Sequence, residues 1–202
     1  MRVLIATTNP AKVERFRKLL RDTGVELLVP QDLGLEPVDV DEGSDIAENA
    51  RRKVLAYRGL TDLPILGMDN AFVIPSEDLD PAMVKRNALA GLDETAMSRD
   101  EVAAAYIAFY GSIAVRHGGR VPAHWEDAFA LSLPDGTVRE DRSHRPVTLT
   151  AEVHGQVDPH FPTRSLYIVE PSGKYVVDQT PEDEMLELQP VTAALKRLLG
   201  VA

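Results

Sequence analysis

A short apolar run, Val3 to Ala6, opens the chain and reads as a buried strand. It breaks at Thr7-Thr8-Asn9-Pro10, and a helix is expected from about Ala11, with Val13, Phe16, Leu19 and Leu20 on one face. Asp22-Thr23-Gly24 stops that helix, and Val25 to Val29 predicts a second strand. An acidic, proline-containing segment runs from Gln31 to Gly43. A helix then starts at Asp45, with Glu48 placed to complete a capping box and Ile46, Ala50, Val54 and Tyr57 as its apolar face. Leu63 to Met68 predicts a strand with Asp69 at its end, and Ala71 to Ile74 a separate short one. Asp80-Pro81 predicts a helix start and Gly91 its close. Ser98 with Glu101 forms a capping box before a helix facing the core through Val102, Tyr106, Phe109 and Ile113. Further strands are expected at Trp125 to Leu133, from Thr137 after a tight turn, at Val147 to Val153 and at Ser165 to Val169. Thr180-Pro181 opens a short acidic helix, and Pro190 a last one through Leu195, Leu198 and Leu199.

Strands interleaved with helices make the class α/β, a mixed sheet flanked by helices. The 202 residues suffice for one domain, 1–202, or for two intimate lobes, with residues 80–117 mainly helical. Hydrophobic residues make up 44% of the chain, the share of a folded globular protein. Its apolar runs fall well short of the roughly 20 residues that span a membrane. With no cysteine in the sequence, disulfides, thiolate metal sites and a cysteine nucleophile are excluded, and the expected location is the cytoplasm. The net charge of −10 argues against a nucleic acid polymer as partner, which needs a basic face. It leaves room for a nucleotide held by local cations, and basic residues do cluster at Lys12–Lys18, Arg51–Lys53 and Lys85–Arg86.

Three features carry candidate chemistry. A strand that turns at once into a helix N-terminus aims several main-chain N–H groups at one spot, which suits a phosphate. Lys12 stands in the first turn of that helix, where the dipole disfavours a cation unless an anion is to be met. The acidic segment ends in Asp41-Glu42-Gly43, and Asp69 follows a strand. A phosphate cradle beside two carboxylates is what metal-assisted phosphate chemistry requires, since Mg²⁺ binds through one or two carboxylates and the substrate's phosphate oxygens. On pattern alone, each residue also reads as ordinary: a surface lysine, a solvated acidic loop, a turn-capping aspartate.

Three motifs in order separate these readings. Ala6-Thr-Thr-Asn-Pro-Ala-Lys12 resembles the A-T-x-N-x-x-K opening of the inosine triphosphate pyrophosphatase family, enzymes that clear aberrant purine nucleoside triphosphates. Gly43 to Lys53 is similar to that family's G-x-T-F-x-E-N-A-x-x-K stretch, and Leu66-Gly-Met-Asp-Asn-Ala-Phe72 stands where the family has A-D-D-S-G-L. The resemblance covers about the first third of the chain. It implies an elongated, homodimeric α/β fold that hydrolyses a nucleoside triphosphate to monophosphate and pyrophosphate with Mg²⁺, or Mn²⁺ in its place. By position, Thr8, Asn9 and Lys12 would hold phosphate, with Asn49 and Lys53 supporting that side. Asp41 and Asp69 would bind metal, and Asp69 and Lys12 would be the catalytic pair. Lys85 or Arg86 matches, loosely, a basic position after the family's P-G, here Pro81-Ala82.

The chain also departs from the pattern. The first Asp of the D-D pair is Met68, and Arg15 stands where the family has a glutamate. In the second half, Phe161-Pro-Thr-Arg-Ser165 falls against the purine-reading F-G-Y-D-P, and Gln189-Pro-Val191 against S-H-R. A Ser143-His-Arg145 triplet occurs elsewhere, in the β-rich region. The expectation is therefore a divergent nucleoside triphosphate pyrophosphatase with its phosphate side kept and its base pocket rebuilt. The alternative is a nucleotide-binding relative with little turnover.

Overall fold

A computed structural model describes residues 1–7 and 9–202. Strand β1 spans Arg2–Ile5 and leads into helix α1, Pro10–Leu19. Asn9 ends the turn between them: its side-chain oxygen accepts from the N–H groups of Ala11 (3.0 Å) and Lys12 (3.3 Å), with Pro10 at the first helical position, where no N–H is missed. Edge strand β2 is Glu26–Leu28, and helix α2 is Ile46–Ala56. Asp45 caps α2 as expected, but Glu48 does not fold back onto the cap; its carboxylate takes Arg52 Nε at 3.0 Å, one turn on. Strand β3 runs Ile65–Val73, followed by the short helix α3, Val84–Ala88, and the long helix α4, Arg99–Arg116. The long strands β4, Arg120–Ser132, and β5, Val138–Thr150, precede the short β6, Tyr167–Val169, and β7, Lys174–Tyr175. Helices α5, Pro181–Glu187, and α6, Gln189–Leu199, close the chain.

The seven strands form a mixed sheet in the order β2-β1-β3-β4-β5-β6-β7, parallel where β1 meets β2 and β3, antiparallel where β6 meets β5 and β7. Such a sheet flanked by helices is the expected α/β class. Two compact units divide the chain. The first comprises Met1–Asn70, Glu126–His144 and Gln189–Ala202. Its core gathers Val3, Leu4, Ile5, Phe16, Val54, Leu66, Phe129, Leu195 and Leu198, each 5% exposed or less. The second comprises Ala71–Trp125 and Arg145–Leu188, around an aromatic cluster in which Phe72 meets Tyr110, Trp125 and Tyr167. Burial pushes the Tyr167 hydroxyl upward in pKa, so it is neutral at physiological pH.

Four expectations are corrected. Asp69 does not end a strand: Leu63–Met68 and Ala71–Ile74 belong to one continuous β3, because Asp69 and Asn70 meet helix partners and interrupt no ladder. Likewise β5 is one strand where two were read. The helix expected from Pro81 to Gly91 covers only Val84–Ala88, since Asp80 caps a tight turn by accepting from Ala82 N–H (3.1 Å). In α4 the most buried positions are Ala103, Tyr110, Gly111, Ile113 and Ala114, and Tyr106 and Phe109 are partly covered.

Candidate active site

The site is built on β3, and its pleat decides what meets what. Successive side chains point to opposite faces of a strand. Gly67 faces α2 so closely that a Cβ there would lie 2.5 Å from the Ala50 carbonyl oxygen and 2.8 Å from Val54 Cγ1. Asp69, two residues on, therefore also faces α2. Its Oδ2 accepts from Asn49 Nδ2 at 2.8 Å and its Oδ1 from Lys53 Nζ at 3.1 Å. Asn70 points the other way, to α1, where its Oδ1 accepts from Lys12 Nζ at 3.4 Å.

Asn49, 2% exposed, fixes the acidic loop to this strand. Its Oδ1 accepts from Gly43 N–H, and its Nδ2 donates to the Gly43 carbonyl as well as to Asp69, all at 2.8 Å. Both amide protons and the oxygen are thus used, which leaves one orientation of the side chain. Lys53 is saturated as well. Its three donors go to Glu42 Oε1 (2.6 Å), Asp69 Oδ1 (3.1 Å) and the Met68 carbonyl (3.2 Å).

Lys12 differs. Beyond its long contact to Asn70, its remaining donors have no partner among the described residues. Burial, and next the like charge of Lys53, hold its ammonium below the usual lysine range, while Asp69, Glu42 and Asp127 pull it back. A half-buried lysine with donors to spare and a charge costly to leave unpaired is ready for an incoming anion.

Asn49, Lys53 and Asp69 are thus brought together on the α2 side of β3, and Lys12 meets the same strand from α1 at the adjacent Asn70. Asn9 stands next to them at the helix start with its oxygen engaged in the cap. Thr8 lies outside the described residues. Asp41 is exposed and contributes its main-chain carbonyl, which accepts from Arg52 Nη1 at 2.9 Å; the acidic side chain reaching Lys53 is that of Glu42. Lys85 and Arg86 are exposed on α3 in the second unit, Lys85 paired with Glu94 at 2.5 Å. Three residues carry no assigned role in the sequence: Glu42 and Asn70, which lie within its motifs, and Asp127, which does not. Asp127 carried a signal, an acid on the strand face that also holds Phe129 and Leu131. In the Ser143-His-Arg145 triplet, Ser143 donates to Asp127 Oδ2 (3.0 Å), and Arg145 forms a buried ion pair with Glu187 (2.7 Å).

Among the described residues no group of three or more His, Cys, Asp or Glu side chains is arranged to hold a metal by itself. The donors present are all oxygens: Asp69 and Glu42 side by side on Lys53, with spare lone pairs on both carboxylates. That donor set fits Mg²⁺ or Mn²⁺ completed by a substrate's phosphate oxygens, and fits zinc poorly.

An α/β sheet with two lysines and two carboxylates along one strand, beside a helix N-terminus, is an arrangement suited to a small polyanion. The chain belongs to the Ham1 family, whose model matches residues 3–106. It is 30% identical over 171 residues to a dITP/XTP pyrophosphatase of Bradyrhizobium sp., covering 79% of this chain and 74% of that one. It is 34% identical over 140 residues to a dITP/XTP pyrophosphatase of Streptomyces coelicolor, covering 68% and 66%. Among solved structures, a HAM1 protein from Coxiella burnetii superposes with a TM-score of 0.76 at 18% identity, over 99% of this chain and 98% of that one. A dITP/XTP pyrophosphatase from Mycobacterium abscessus gives 0.70 at 21%, over 98% and 99%. At those identities the structures speak for the fold alone. The motif resemblance to the inosine triphosphate pyrophosphatases agrees with both comparisons.

Proposed function

We propose that the chain is a nucleoside triphosphate pyrophosphatase acting on aberrant purine nucleotides, with dITP, ITP and XTP as first substrates. It works as one catalytic domain, in a homodimer, in the cytoplasm. The observation that carries this reading is the contrast between the two lysines: Lys53 is consumed in bridging Glu42 to Asp69, while Lys12, beyond its contact to Asn70, keeps donors to spare among the described residues. The names of the relatives supply the substrate class.

In this reading Lys12, with the Asn9 amide nitrogen beside it, binds phosphate oxygens and neutralises charge as it builds on the leaving pyrophosphate. Asp69, held in place by Asn49 and Lys53, accepts a proton from the attacking water. Water oxygen bonds to the α-phosphorus, the bond from that phosphorus to the bridging oxygen breaks, and pyrophosphate departs. Asp69 and Glu42 would hold a divalent cation, and Asp41, the motif's own position, would reach it only if its exposed side chain turned inward. That ion, Mg²⁺ or Mn²⁺, would screen the triphosphate and polarise the phosphoryl group. Base reading falls to other residues, since this reading assigns Lys12, Lys53 and Asp69 to the phosphate side.

The test is a panel of ordinary and deaminated nucleotides with Mg²⁺ and with Mn²⁺. Pyrophosphate and monophosphate from a deaminated purine nucleotide, with little from ATP or GTP, is the expected result. Thermal stabilisation by nucleotide without turnover would replace this reading by that of a binding relative, an outcome Met68 makes worth measuring. Neither stabilisation nor turnover would end both.

A further inference from the structure

Asp127 lies in β4 with 2% of its surface exposed, and its Oδ2 accepts from Ser143 Oγ of β5 at 3.0 Å. The Ser143 hydroxyl helps to orient that buried carboxylate. Packing fixes the direction in which that charge looks. Phe129 of β4 meets Phe16 of α1 with ring centroids 6.2 Å apart, so the Phe129 face of β4 is turned to α1. Asp127, two residues earlier, shares that face. Lys12 stands one turn before Phe16 on the same side of α1. On the neighbouring β3, Asn70 faces α1 through its contact with Lys12, and Met68, two residues before it, shares the face. Met68 is also the position at which the related motif carries its first aspartate.

We propose that Asp127 is a positioning residue of the phosphate site, its buried carboxylate supplying on the α1 face the counter-charge for Lys12 that Met68 does not. The charged groups that act on Lys12 are Lys53 from α2, Asp69 from β3, Glu42 from the loop before α2, and Asp127 from β4. Of the three carboxylates, Asp69 and Glu42 are bonded to Lys53, on the α2 side of the sheet. Asp127 alone shares the face of Lys12. A carboxylate absent from one strand is thus replaced from the next. Its effect is to keep Lys12 an ammonium, and so a phosphate ligand, next to a second lysine. The link to phosphate rests on the function proposed above; the test needs no nucleotide.

Amines react with acetic anhydride only when unprotonated, so the acetylation rate of Lys12, read by mass spectrometry on the intact folded chain, reports its charge. At pH 8 we expect Lys12 in Asp127→Asn to react at least about threefold faster than in wild type. Lys85 and Lys174 should be unchanged. Asp127→Ser, smaller and also neutral, asks the same question should the amide not be accommodated. Ser143→Ala, which removes the hydrogen bond and keeps the charge, should stay near the wild-type rate. Met68→Asp added to Asp127→Asn should slow Lys12 again by returning a carboxylate to its face. Equal Lys12 rates in wild type and a folded, neutral Asp127 variant would overturn the assignment, whatever the chain hydrolyses. A faster rate in a chain with no turnover would leave the assignment standing and remove the reaction.

Discussion

At the scale of single residues, the site separates groups that build it from groups that act. Asn49 builds: it ties Gly43 to Asp69 through three hydrogen bonds, so Asn49→Ala should cost about 2 kcal/mol, read by chemical denaturation, by leaving Gly43 N–H and an Asp69 oxygen unpaired in a buried place. Asp69→Asn keeps the shape and removes the base. It should abolish pyrophosphate release while nucleotide still raises the melting temperature. Lys12 acts through its charge, which burial has made easier to lose. As pH climbs through a value depressed below 10.5, the ammonium disappears and phosphate affinity falls with it. KM for the nucleotide should therefore rise on the alkaline side before an ordinary lysine titrates, and Lys12→Arg, which stays charged, should flatten that rise. An alkaline KM profile identical in Lys12→Arg and wild type would remove Lys12 from the phosphate contact.

Among the elements, β3 does most to position the chemistry, and it does so by passing close to α2. Gly67 permits the approach; Gly67→Ala sets a Cβ 2.5 Å from a main-chain oxygen and should cost about 1–3 kcal/mol while loosening the Asp69–Lys53 contact. In the second unit the end of α4 is tied down by Glu77, which takes Arg116 Nη2 at 2.7 Å and His117 Nε2 at 2.8 Å. The hydrogen bond from His117, ahead of that from Arg116, holds the Glu77 carboxyl below its usual 4.5. A depressed carboxylate contributes stability above its unfolded pKa and loses it as pH falls through the folded value. Glu77→Gln should thus melt earlier than wild type at pH 7, with the gap closing as pH falls below 4.5 and through the depressed folded value. The elements were largely legible in the sequence where caps announced them. Asn9-Pro10, Asp45, Ser98 with Glu101 and Thr180-Pro181 all start helices where expected. Legibility failed where tertiary partners overrode local signals. Asp69-Asn70 read as a strand end because two polar residues in a row break the apolar run, and only α1 and α2, far away in sequence, make them tolerable inside β3.

For the molecule as a whole, charge and motif order narrowed the function earlier than any element did. A net charge of −10 with local lysines leaves room for a small polyanion, and three ordered motifs named the family that the comparisons then matched. What stayed hidden was compensation. Met68 read as a lost carboxylate, and its replacement on the neighbouring β4 came into view only when strand order and the Phe16–Phe129 contact placed Asp127 on the same face. Glu42 was hidden for a related reason, since the motif points to Asp41 and side-chain reach selects its neighbour. The central claim is that Lys12 and Asp69 belong to one pyrophosphatase site, and product analysis on XTP and ITP with Mg²⁺ tests it most directly. Wild type should release pyrophosphate and monophosphate in equal amounts, and Asp69→Asn none. Inorganic phosphate as the first product, or undiminished pyrophosphate release from Asp69→Asn, would contradict it.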